Sequence, residues 1–520
     1  MGDRIVTDAA GGAGAAGVGA GGDWRGPDVE GLRPVPWRGL KVCVVGARVV
    51  GLSAARAVRA LGAEVTLVDR NADEATAERS APLEAEGVVL RLGDDATLPE
   101  GCELLVVSPG IPPHAPIALA AQKLGVPVWG DAELAWRLRK PLPDGGYAPW
   151  LPITGTNGKT TAVRMLAAML EAAGRRTVAC GNIGLPLVDA VLAAEPYEVL
   201  AVELSSFQLH WTYSMSPFAA AVLNVAPDHV DWHGSYEQYR DAKGRIYENC
   251  QAACVYNVAD PVTEALVERA DVVEGCRAIG FTLGAPGLSM LGVVDGILAD
   301  RAFVDDRQRN AAEIGTVYDV EPHAPHNIAN ALAAAALARA YGVPAEAVRD
   351  GLRAFRPDPH RIEFVAALDG VDYIDDSKAT NAHAAAASLA AYDDIVWIAG
   401  GLAKGARFEE LVAGAAEHLR GAVLLGQDRA LIAEALARHA PSLPVVEVGG
   451  ADDGLTGAEA MERAVDAAAD LAARCLPEGK DPRGTVLLAP ACASMDLFVS
   501  YGERGDVFAR LVREKKAALG

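Results

Sequence analysis

At 520 residues the chain is too long for one ordinary core, so its length predicts two to four domains. A formal net charge of -22 disfavours nucleic acid as a partner, because a phosphate backbone is bound by stripes of lysine and arginine. Hydrophobic residues make up 51% of the chain, which is enough for several cores and excludes a mostly disordered protein.

In chain order, residues 1–37 are rich in glycine and alanine, and we expect them to form a disordered leader. A strand at residues 41–46 then starts an alternation of strands and helices that includes a strand at residues 104–107. Such alternation predicts a mostly parallel sheet flanked by helices. A cluster of proline and glycine at residues 141–146 ends this first domain, residues 38–143.

The alternation restarts at a strand over residues 150–153 and defines a second domain, residues 144–356. Pro357 and Pro359 forbid a continuing helix and mark the next boundary. Residues 357–520 alternate in the same way and form the third domain. The predicted fold class is therefore α/β, with three mostly parallel sheets flanked by helices. The first and last domains are expected to be Rossmann-like, and the central one to be of the phosphate-loop type.

A glycine-rich loop follows the strand at residues 150–153 and precedes a helix. It reads Gly155-Thr156-Asn157-Gly158-Lys159-Thr160-Thr161. Backbone N–H groups at a helix N-terminus favour phosphate, Lys159 supplies charge to the β- and γ-phosphates, and the Thr160 hydroxyl is placed to ligate Mg²⁺. The spacing is shorter than that of the general Walker loop. The alternative is a glycine-rich turn with a solvated lysine.

The second domain also carries candidate metal ligands after its strands. Glu203 ends an apolar strand, and a carboxylate at that edge of a sheet can hold Mg²⁺ beside a phosphate loop. His229 follows the next strand in a loop of aspartate, histidine and tryptophan, so it is a second candidate ligand. Taken from the sequence alone, Lys243 is a solvated lysine on a helix.

The turn after the first strand resembles a dinucleotide-binding loop, but Arg48 stands at its third position. The G-x-G-x-x-G pattern has glycine there so that the backbone can approach a pyrophosphate. NAD binding is therefore not expected. A nucleotide diphosphate bound at the same helix N-terminus does not need the backbone to approach it as closely as NAD does.

The cysteines and the opening segment bear on where the protein works. No CxxC pair occurs; Cys250 and Cys254 could share a helix face but have no second ligand pair nearby, so we expect buried reduced thiols and no zinc. The alanine-rich residues 329–340 are too short to span a membrane and include Arg339. Because the opening segment lacks the pattern of a signal peptide, we expect a cytoplasmic protein with no membrane partner.

Several of these motifs resemble those of the Mur ligase and folylpolyglutamate synthetase superfamily. The likeness extends over roughly residues 38–518 and includes T-G-T-N-G-K-T-T, E-L-S-S-F-Q-L, N-V-x-x-D-H-x-D and D-S-K-A-T-N. With S-P-G at residues 108–110 and A-C-A-S-M-D at residues 491–496, it points to the Mur ligases that add D-glutamate. The resemblance implies three domains that bind a UDP-sugar, ATP and an amino acid, respectively.

The resemblance implies a reaction of peptidoglycan precursor synthesis that uses ATP and two Mg²⁺ ions. The carboxylate of UDP-N-acetylmuramoyl-L-alanine would attack the γ-phosphate of ATP, and the amine of D-glutamate would then attack the acyl phosphate. Thr160, Glu203 and His229 are implied as metal ligands, and Lys243 as a carbamylated lysine that organises the metal site. Lys159, Glu203, His229 and Lys243 form the implied catalytic set. We expect a monomer that acts on small molecules.

The resemblance also implies binding residues for each substrate. Besides the phosphate loop, the residues implied for ATP are Asn327, Asn330, Arg361 and Asp376. Those implied for the UDP-sugar are Gly51, Leu52, Ser53, Asp69, Ser108, Pro109, Gly110 and Asn182. Those implied for D-glutamate are Lys378, Thr380, Lys404, Ser494, Met495 and Tyr501. The chain departs from the family pattern at Arg48, Val50, Ala489 and Tyr501.

Two alternatives stay open at this point. A sister ligase for another amino acid, or a folylpolyglutamate synthetase, would share the phosphate loop, but S-P-G and A-C-A-S-M-D argue against both. A catalytically silent nucleotide-binding regulator would not need Lys159, Thr160, Glu203, His229 and Lys243 together.

Overall fold

The computed structural model describes residues 35–143, 145–357, 359–477, 479 and 482–519. The described chain forms two compact units, which are considered separately below. The first contains the residues up to Val320 together with Ile328–Phe355. The second contains Glu321–Asn327 and the residues from Arg356 onward.

The first sheet has five parallel strands in the order β3-β2-β1-β4-β5. These strands are β1 (Lys41–Val45), β2 (Glu64–Asp69), β3 (Val89–Leu92), β4 (Leu104–Val107) and β5 (Val128–Gly130). Its helices are α1 (Val49–Ala60), α2 (Glu74–Ala85), α3 (Pro116–Leu124) and α4 (Asp131–Leu138). The apolar residues of β4 are buried throughout, as expected for a central parallel strand covered on both faces.

The second sheet, also in the first unit, has nine strands in the order β14-β13-β12-β11-β10-β9-β6-β8-β7. They are β6 (Trp150–Thr154), β7 (Ala179–Gly181), β8 (Leu200–Glu203), β9 (Ala219–Val222), β10 (Ala253–Asn257), β11 (Arg277–Phe281), β12 (Met290–Val294), β13 (Ile297–Asp300) and β14 (Ala312–Thr316). The pairs β12–β13 and β13–β14 are antiparallel, and the other pairs are parallel.

The helices of this part are α5 (Lys159–Ala172), α6 (Leu187–Val191), α7 (Ser206–His210), α8 (Val230–His233), α9 (Tyr236–Gly244), α10 (Pro261–Glu268), α11 (Pro325–Ala340) and α12 (Ala345–Ala354). Two 3-10 helices, Arg245–Tyr247 and Val317–Asp319, accompany them. The alanines of α11 lie in a core, where small side chains permit close packing. Among the described residues, none of the helices has both the length and the apolar character needed to cross a membrane.

The third sheet belongs to the second unit and has six strands in the order β15-β16-β20-β17-β18-β19. These are β15 (Glu363–Leu368), β16 (Val371–Asp375), β17 (Ile395–Gly400), β18 (Leu419–Leu425), β19 (Val445–Gly449) and β20 (Gly484–Leu488). Only the pairing of β15 with β16 is antiparallel among these described strands. The helices are α13 (Ala382–Leu389), α14 (Glu409–Ala415), α15 (Arg429–His439), α16 (Gly457–Cys475) and α17 (Tyr501–Leu519), with a 3-10 helix at Ala451–Asp453.

The predicted fold class is confirmed, since three mostly parallel sheets are flanked by helices. Residues 1–34 of the predicted leader lie outside the described residues, whereas Val35 is buried in the first core. The end of the leader at residue 37 stays a prediction. Helix α9 ends at Gly244, where the 3-10 helix Arg245–Tyr247 begins. We retain the other domain boundaries as a proposal.

Candidate active site

The phosphate loop connects the buried strand β6 to helix α5. Gly158 caps the helix with a φ of +83°, a conformation that favours glycine. A Cβ at this position would also collide with the side-chain oxygen of Asn330, which lies on α11. The positive φ therefore favours glycine at the start of α5, and the Asn330 side chain would have to move to admit a Cβ.

Side chains from two neighbouring elements hold this loop in place. Asn224, just after β9, accepts a hydrogen bond from Asn157 N (2.9 Å) and donates one to Asn157 O (3.2 Å). The hydroxyls of Thr156 and Tyr239 lie 2.8 Å apart. Side chains from β9 onward and from α9 thus fix the position of the loop backbone.

Two lysines converge on one carbonyl oxygen of the loop. Lys159 Nζ donates to Gly155 O (2.9 Å) and Thr156 O (3.0 Å), and Lys243 Nζ donates to Gly155 O (2.8 Å). Lys243 is buried, with 2% of its surface exposed, so the sequence-based interpretation of a solvated lysine is wrong. Burial, followed by the charge of Lys159, lowers the pKa of Lys243 well below its ordinary value.

Glu203, at the end of β8, is a buried carboxylate with 2% of its surface exposed. One of its oxygens accepts from the Thr160 hydroxyl (2.8 Å), and the other accepts from the Asn182 amide (3.0 Å). Both donors are neutral, and a buried carboxylate is stabilised by a nearby cation. The paired hydroxyl and carboxylate oxygens are a donor set that fits a hard divalent cation.

His229 lies at the N-terminus of α8 with a φ of +51°, a left-handed conformation uncommon for residues other than glycine. Its ring packs edge-on against Phe207, with 4.7 Å between the ring centroids. Partial burial lowers its pKa, as do the charges of Lys243 and Lys159, while Asp228 opposes them. The neutral imidazole that results is the form that can ligate a metal.

Asn224 and Tyr239 support the loop, and neither was predicted from the sequence to do so. Asn224 directly follows a strand, at the edge of the sheet where ligand-binding residues gather, and that position was a usable signal. Tyr239 is one helical turn before Lys243, and the Lys243 ammonium lies 4.7 Å from its ring centroid. The spacing of the two residues could have indicated this contact.

The turn predicted for the UDP-sugar lies at the ends of β1, β2 and β4. A Cβ at Gly51 would collide with Gly46 O, so only glycine permits this approach of α1 to the turn. Asp69 accepts a hydrogen bond from Ala47 N (2.6 Å) and so holds the turn. The Ser108 hydroxyl is buried and has no hydrogen-bond partner among the described residues.

The remaining residues of this predicted set surround the same turn. The Ser53 hydroxyl donates to Asp189 on α6 (2.6 Å), a partner that the sequence did not indicate. Leu52 and Pro109 are half-buried, and Gly110 is exposed. Arg48 is also exposed, immediately before α1.

The two asparagines predicted for ATP on α11 have different surroundings. Both are buried. Asn330 faces Gly158, as described above, whereas the Asn327 amide donates to Pro322 O (3.0 Å).

In the second unit, a polar loop follows β16. Asp376 is buried and accepts a hydrogen bond from the Ser388 hydroxyl. Burial raises the pKa of Asp376 to about 6, and the charge of Arg361 acts against this increase. Asp376 and Arg361, which were both predicted to bind ATP, are therefore close enough to interact electrostatically. Next to them, His360 Nδ1 lies 2.7 Å from Asp375 Oδ2.

Lys378 and Tyr501, both predicted for D-glutamate, are in direct contact. Lys378 Nζ donates to the Tyr501 hydroxyl (2.7 Å), and Ser377 Oγ donates to Tyr501 O (2.7 Å). The guanidinium of the buried Arg504 donates to Ser377 O (2.8 Å) and supports the loop from beneath. Nothing in the sequence around Arg504 indicated this role.

The other residues predicted for D-glutamate lie on nearby loops of the same unit. Leu402 and Ala493 exchange backbone hydrogen bonds of 2.8 and 3.0 Å, which joins the loop of Lys404 to that of Ser494. Lys404 is exposed with a φ of +50°, and Ser494 is buried. Thr380 is half-buried, and Met495 is 70% exposed.

Comparison with known families gives two matches that together cover most of the chain. Residues 153–338 match the Mur ligase middle domain, and residues 360–492 match the Mur ligase, glutamate ligase domain. Residues 31–91 match the alanine dehydrogenase/PNT C-terminal domain, a region that includes β1, α1 and β2.

Similar proteins carry one name. UDP-N-acetylmuramoylalanine–D-glutamate ligase of Streptomyces avermitilis is 64% identical over 92% of this chain and 98% of the relative. The ligase of that name from Thermobifida fusca is 54% identical over 92% of this chain and 98% of that relative. The ligase of that name from Mycolicibacterium smegmatis is 47% identical over 95% of this chain and 100% of that relative.

Solved structures share the fold at low sequence identity. MurF from Acinetobacter baumannii has a TM-score of 0.54 and 17% identity, with 91% of this chain and 93% of that chain covered. A pseudomurein peptide ligase type C from Methanothermus fervidus has a TM-score of 0.52 and 16% identity, with 92% and 100% covered. Sequence and family matches together show that the chain belongs to the Mur ligase family, among the UDP-N-acetylmuramoylalanine–D-glutamate ligases.

Proposed function

We propose that this chain is an ATP-dependent ligase that joins D-glutamate to UDP-N-acetylmuramoyl-L-alanine in peptidoglycan precursor synthesis. One observation carries the proposal: Lys159 and Lys243 meet at Gly155 O, and the Thr160 hydroxyl meets the buried Glu203 carboxylate. A phosphate loop, two amines and an oxygen-rich metal site are the groups that phosphoryl transfer to a carboxylate requires. The names of the relatives indicate which carboxylate and which amine are joined.

Mg²⁺ fits the oxygen donors at this site. We infer that Thr160 and Glu203 hold one ion, and that His229 and a modified Lys243 take part in holding a second. The ions would neutralise the charge of the triphosphate as the phosphoryl group is transferred. The contact between the Thr160 hydroxyl and the Glu203 carboxylate supports this inference, because these oxygens are donors of the kind that Mg²⁺ prefers.

In the first chemical step, an oxygen of the substrate carboxylate attacks the γ-phosphorus, and ADP leaves with the electron pair of the broken P–O bond. Loop N–H groups of residues 155–161 bind the phosphates, and the Lys159 ammonium adds positive charge. In the second step, the D-glutamate amine attacks the acyl carbon. Phosphate leaves and the amine loses a proton, which produces the amide.

Lys243 is proposed to act as a carbamate. Its amine would attack carbon dioxide, forming an N–C bond and releasing a proton, so that the side chain ends in two oxygens that share one negative charge. Its lowered pKa supports this step, because only an unprotonated amine is nucleophilic. The change turns a buried base into an oxygen ligand suited to a hard cation.

The binding assignments complete the proposal. Asn327, Asn330, Arg361 and Asp376 are proposed to bind ATP together with the phosphate loop. The turn around Gly51 and Asp69, with the S-P-G segment and Asn182, is proposed for the UDP-sugar. The loops of Lys378, Lys404 and Ser494 are proposed for D-glutamate. The monomeric state and the cytoplasmic location stay predictions.

The test is a coupled assay of ADP release with each substrate omitted in turn. We expect release to require both UDP-N-acetylmuramoyl-L-alanine and D-glutamate, with L-glutamate inactive in place of D-glutamate. ADP release that needs neither acceptor would contradict the proposal, as would a preference for another amino acid. No turnover with any acceptor would support the silent regulator instead.

A further inference from the structure

Three cysteines outside the candidate active site form a compact thiol cluster, defined here as Cys250, Cys254 and Cys276. Their sulfurs all lie within 4.8 Å of one another, and Cys254 Sγ is 3.8 Å from Cys276 Sγ. Cys254 lies on β10, and Cys250 lies between β10 and the preceding 3-10 helix. The predicted shared helix face is therefore wrong.

The third thiol comes from the neighbouring strand. Parallel pairing sets Ala253 of β10 opposite Arg277 of β11, and Cys276 is the residue just before β11. Cys276 is consequently brought beside Cys254, although the two are 22 residues apart in sequence. From the sequence, only Cys250 and Cys254 were predicted to lie close together, and Cys276 was not.

We propose that the thiol cluster binds one thiophilic divalent cation of the Zn²⁺ type through three thiolates, with a fourth position open to solvent. In a tetrahedral site with Zn–S bonds of about 2.3 Å, neighbouring sulfurs are about 3.8 Å apart. The observed separation of Cys254 and Cys276 is 3.8 Å. The strands thus already hold these sulfurs at the spacing that coordination needs.

A disulfide would use two of the three thiols, whereas a single cation can bind all three. Coordination also leaves every sulfur at the same oxidation level, so no oxidant is needed.

Proton release accompanies binding at this site. Cys276 is the half-exposed member, through which a cation can enter, whereas Cys250 and Cys254 are buried. When the cation binds, the three thiols lose their protons to solvent and become thiolate ligands.

Ligand chemistry separates this site from the proposed magnesium site. Thiolates select soft or borderline cations such as Zn²⁺, while hydroxyl and carboxylate oxygens select Mg²⁺. Excess Mg²⁺ should therefore not displace a cation from the thiol cluster.

The cluster is joined to the helix that carries Lys243. Cys250 N donates to Tyr247 O (3.1 Å), and the Tyr247 hydroxyl donates to Val255 O on β10 (2.6 Å). A cation bound by Cys250 and Cys254 would add a link between this 3-10 turn and β10. Because it binds only the folded chain in this geometry, we expect it to raise the melting temperature.

The test uses the full chain, freed of metal by a chelator and kept reduced in excess Mg²⁺. Co²⁺ is then titrated while near-ultraviolet absorption is recorded, because thiolate-to-cobalt charge transfer appears there and oxygen ligands do not produce it. We expect saturation at one Co²⁺ per chain and loss of the band when Zn²⁺ is added. The Cys276→Ser variant should bind Co²⁺ at least tenfold more weakly.

Cys475→Ser is the matched control, since Cys475 is also half-exposed but lies outside the cluster. It should bind Co²⁺ like the unmodified chain. A Cys250→Ser variant and thermal melting of each protein separate loss of a ligand from loss of folding. Absence of the charge-transfer band in the folded, reduced chain would overturn the proposal, as would an undiminished band in Cys276→Ser. Ready formation of a disulfide within the cluster without cation uptake would also overturn it. The ADP assay is independent of these results.

Discussion

The phosphate loop of the first unit is organised differently from the proposed D-glutamate loops of the second unit, which are those of Lys378, Lys404 and Ser494. In the phosphate loop, both amines and the flanking asparagine are already held by hydrogen bonds to the loop backbone. In the second unit, the contact between Lys378 and Tyr501 lies at the surface, and Lys404 and Met495 are exposed. Hydrogen bonds to the loop backbone therefore hold the first region, whereas side chains of the second are exposed at the surface.

This difference indicates where each part of the proposed reaction depends on the fold. Groups that act on developing charge must be oriented in advance, because reorganisation during the reaction raises the barrier. Groups that only bind an amino acid can be oriented by the ligand itself. Substitutions of the charged groups around the phosphate loop should therefore reduce the rate, whereas those in the loops of Lys378, Lys404 and Ser494 should mainly weaken D-glutamate binding.

The largest effect is expected for Lys159→Met and Glu203→Gln. Each should lower kcat/KM by about 10³-fold, because Lys159 places positive charge near the transferred phosphoryl group and Glu203 is proposed to hold the Mg²⁺ that does the same. The ADP-release assay gives the measurement. Lys123→Met is the control, because Lys123 is exposed at the end of α3. If either variant kept kcat/KM within tenfold of the unmodified chain, substitutions near the phosphate loop would not be more damaging to the reaction than those in the D-glutamate loops.

Lys243→Met should lower kcat about 10²-fold while the melting temperature stays equal or rises. Methionine fills the buried space but cannot form a carbamate, so the substitution separates chemistry from packing. Thermal melting and steady-state kinetics measure the two effects. A variant that keeps full activity would show that Lys243 serves only to hold Gly155 O.

Gly158→Ala tests whether the loop conformation matters for ATP. Its φ of +83° is unfavourable for alanine, and its Cβ would collide with Asn330, so we expect KM for ATP to rise about tenfold. Gly174→Ala is the matched control just after the same helix, with a φ of +72° and nothing within 4 Å of the added Cβ. The two variants should share the backbone cost, and only the first should weaken ATP binding. Equal KM values for ATP would contradict the role of the loop.

The smallest effect is expected for Tyr501→Phe. Loss of its hydroxyl removes the hydrogen bond to Lys378, and KM for D-glutamate should rise about three- to tenfold while KM for ATP stays unchanged. Tyr318→Phe is the control in the first unit, since Tyr318 is 81% exposed. A parallel rise in KM for ATP would mean that the second region is not specific for the amino acid.

Features contained in a short segment could be predicted from the sequence. The strand, glycine-rich loop and helix around Lys159 are contiguous, and the hydrophobic pattern of the strands predicted the parallel sheets. Features that join distant segments could not. Lys243 contacts a residue 88 positions away, and Ser53 contacts one 136 positions away. The thiol cluster was missed for the same reason, because strand pairing supplies its third member.

By itself, the sequence determined the α/β class, the phosphate loop and the family resemblance, since local hydrophobic periodicity and short motifs encode them directly. The tertiary structure alone decided that Lys243 is buried, that Glu203 meets Thr160, and that Cys276 joins Cys250 and Cys254. Burial and partner choice depend on which segments pack together, and that packing is a property of the whole fold.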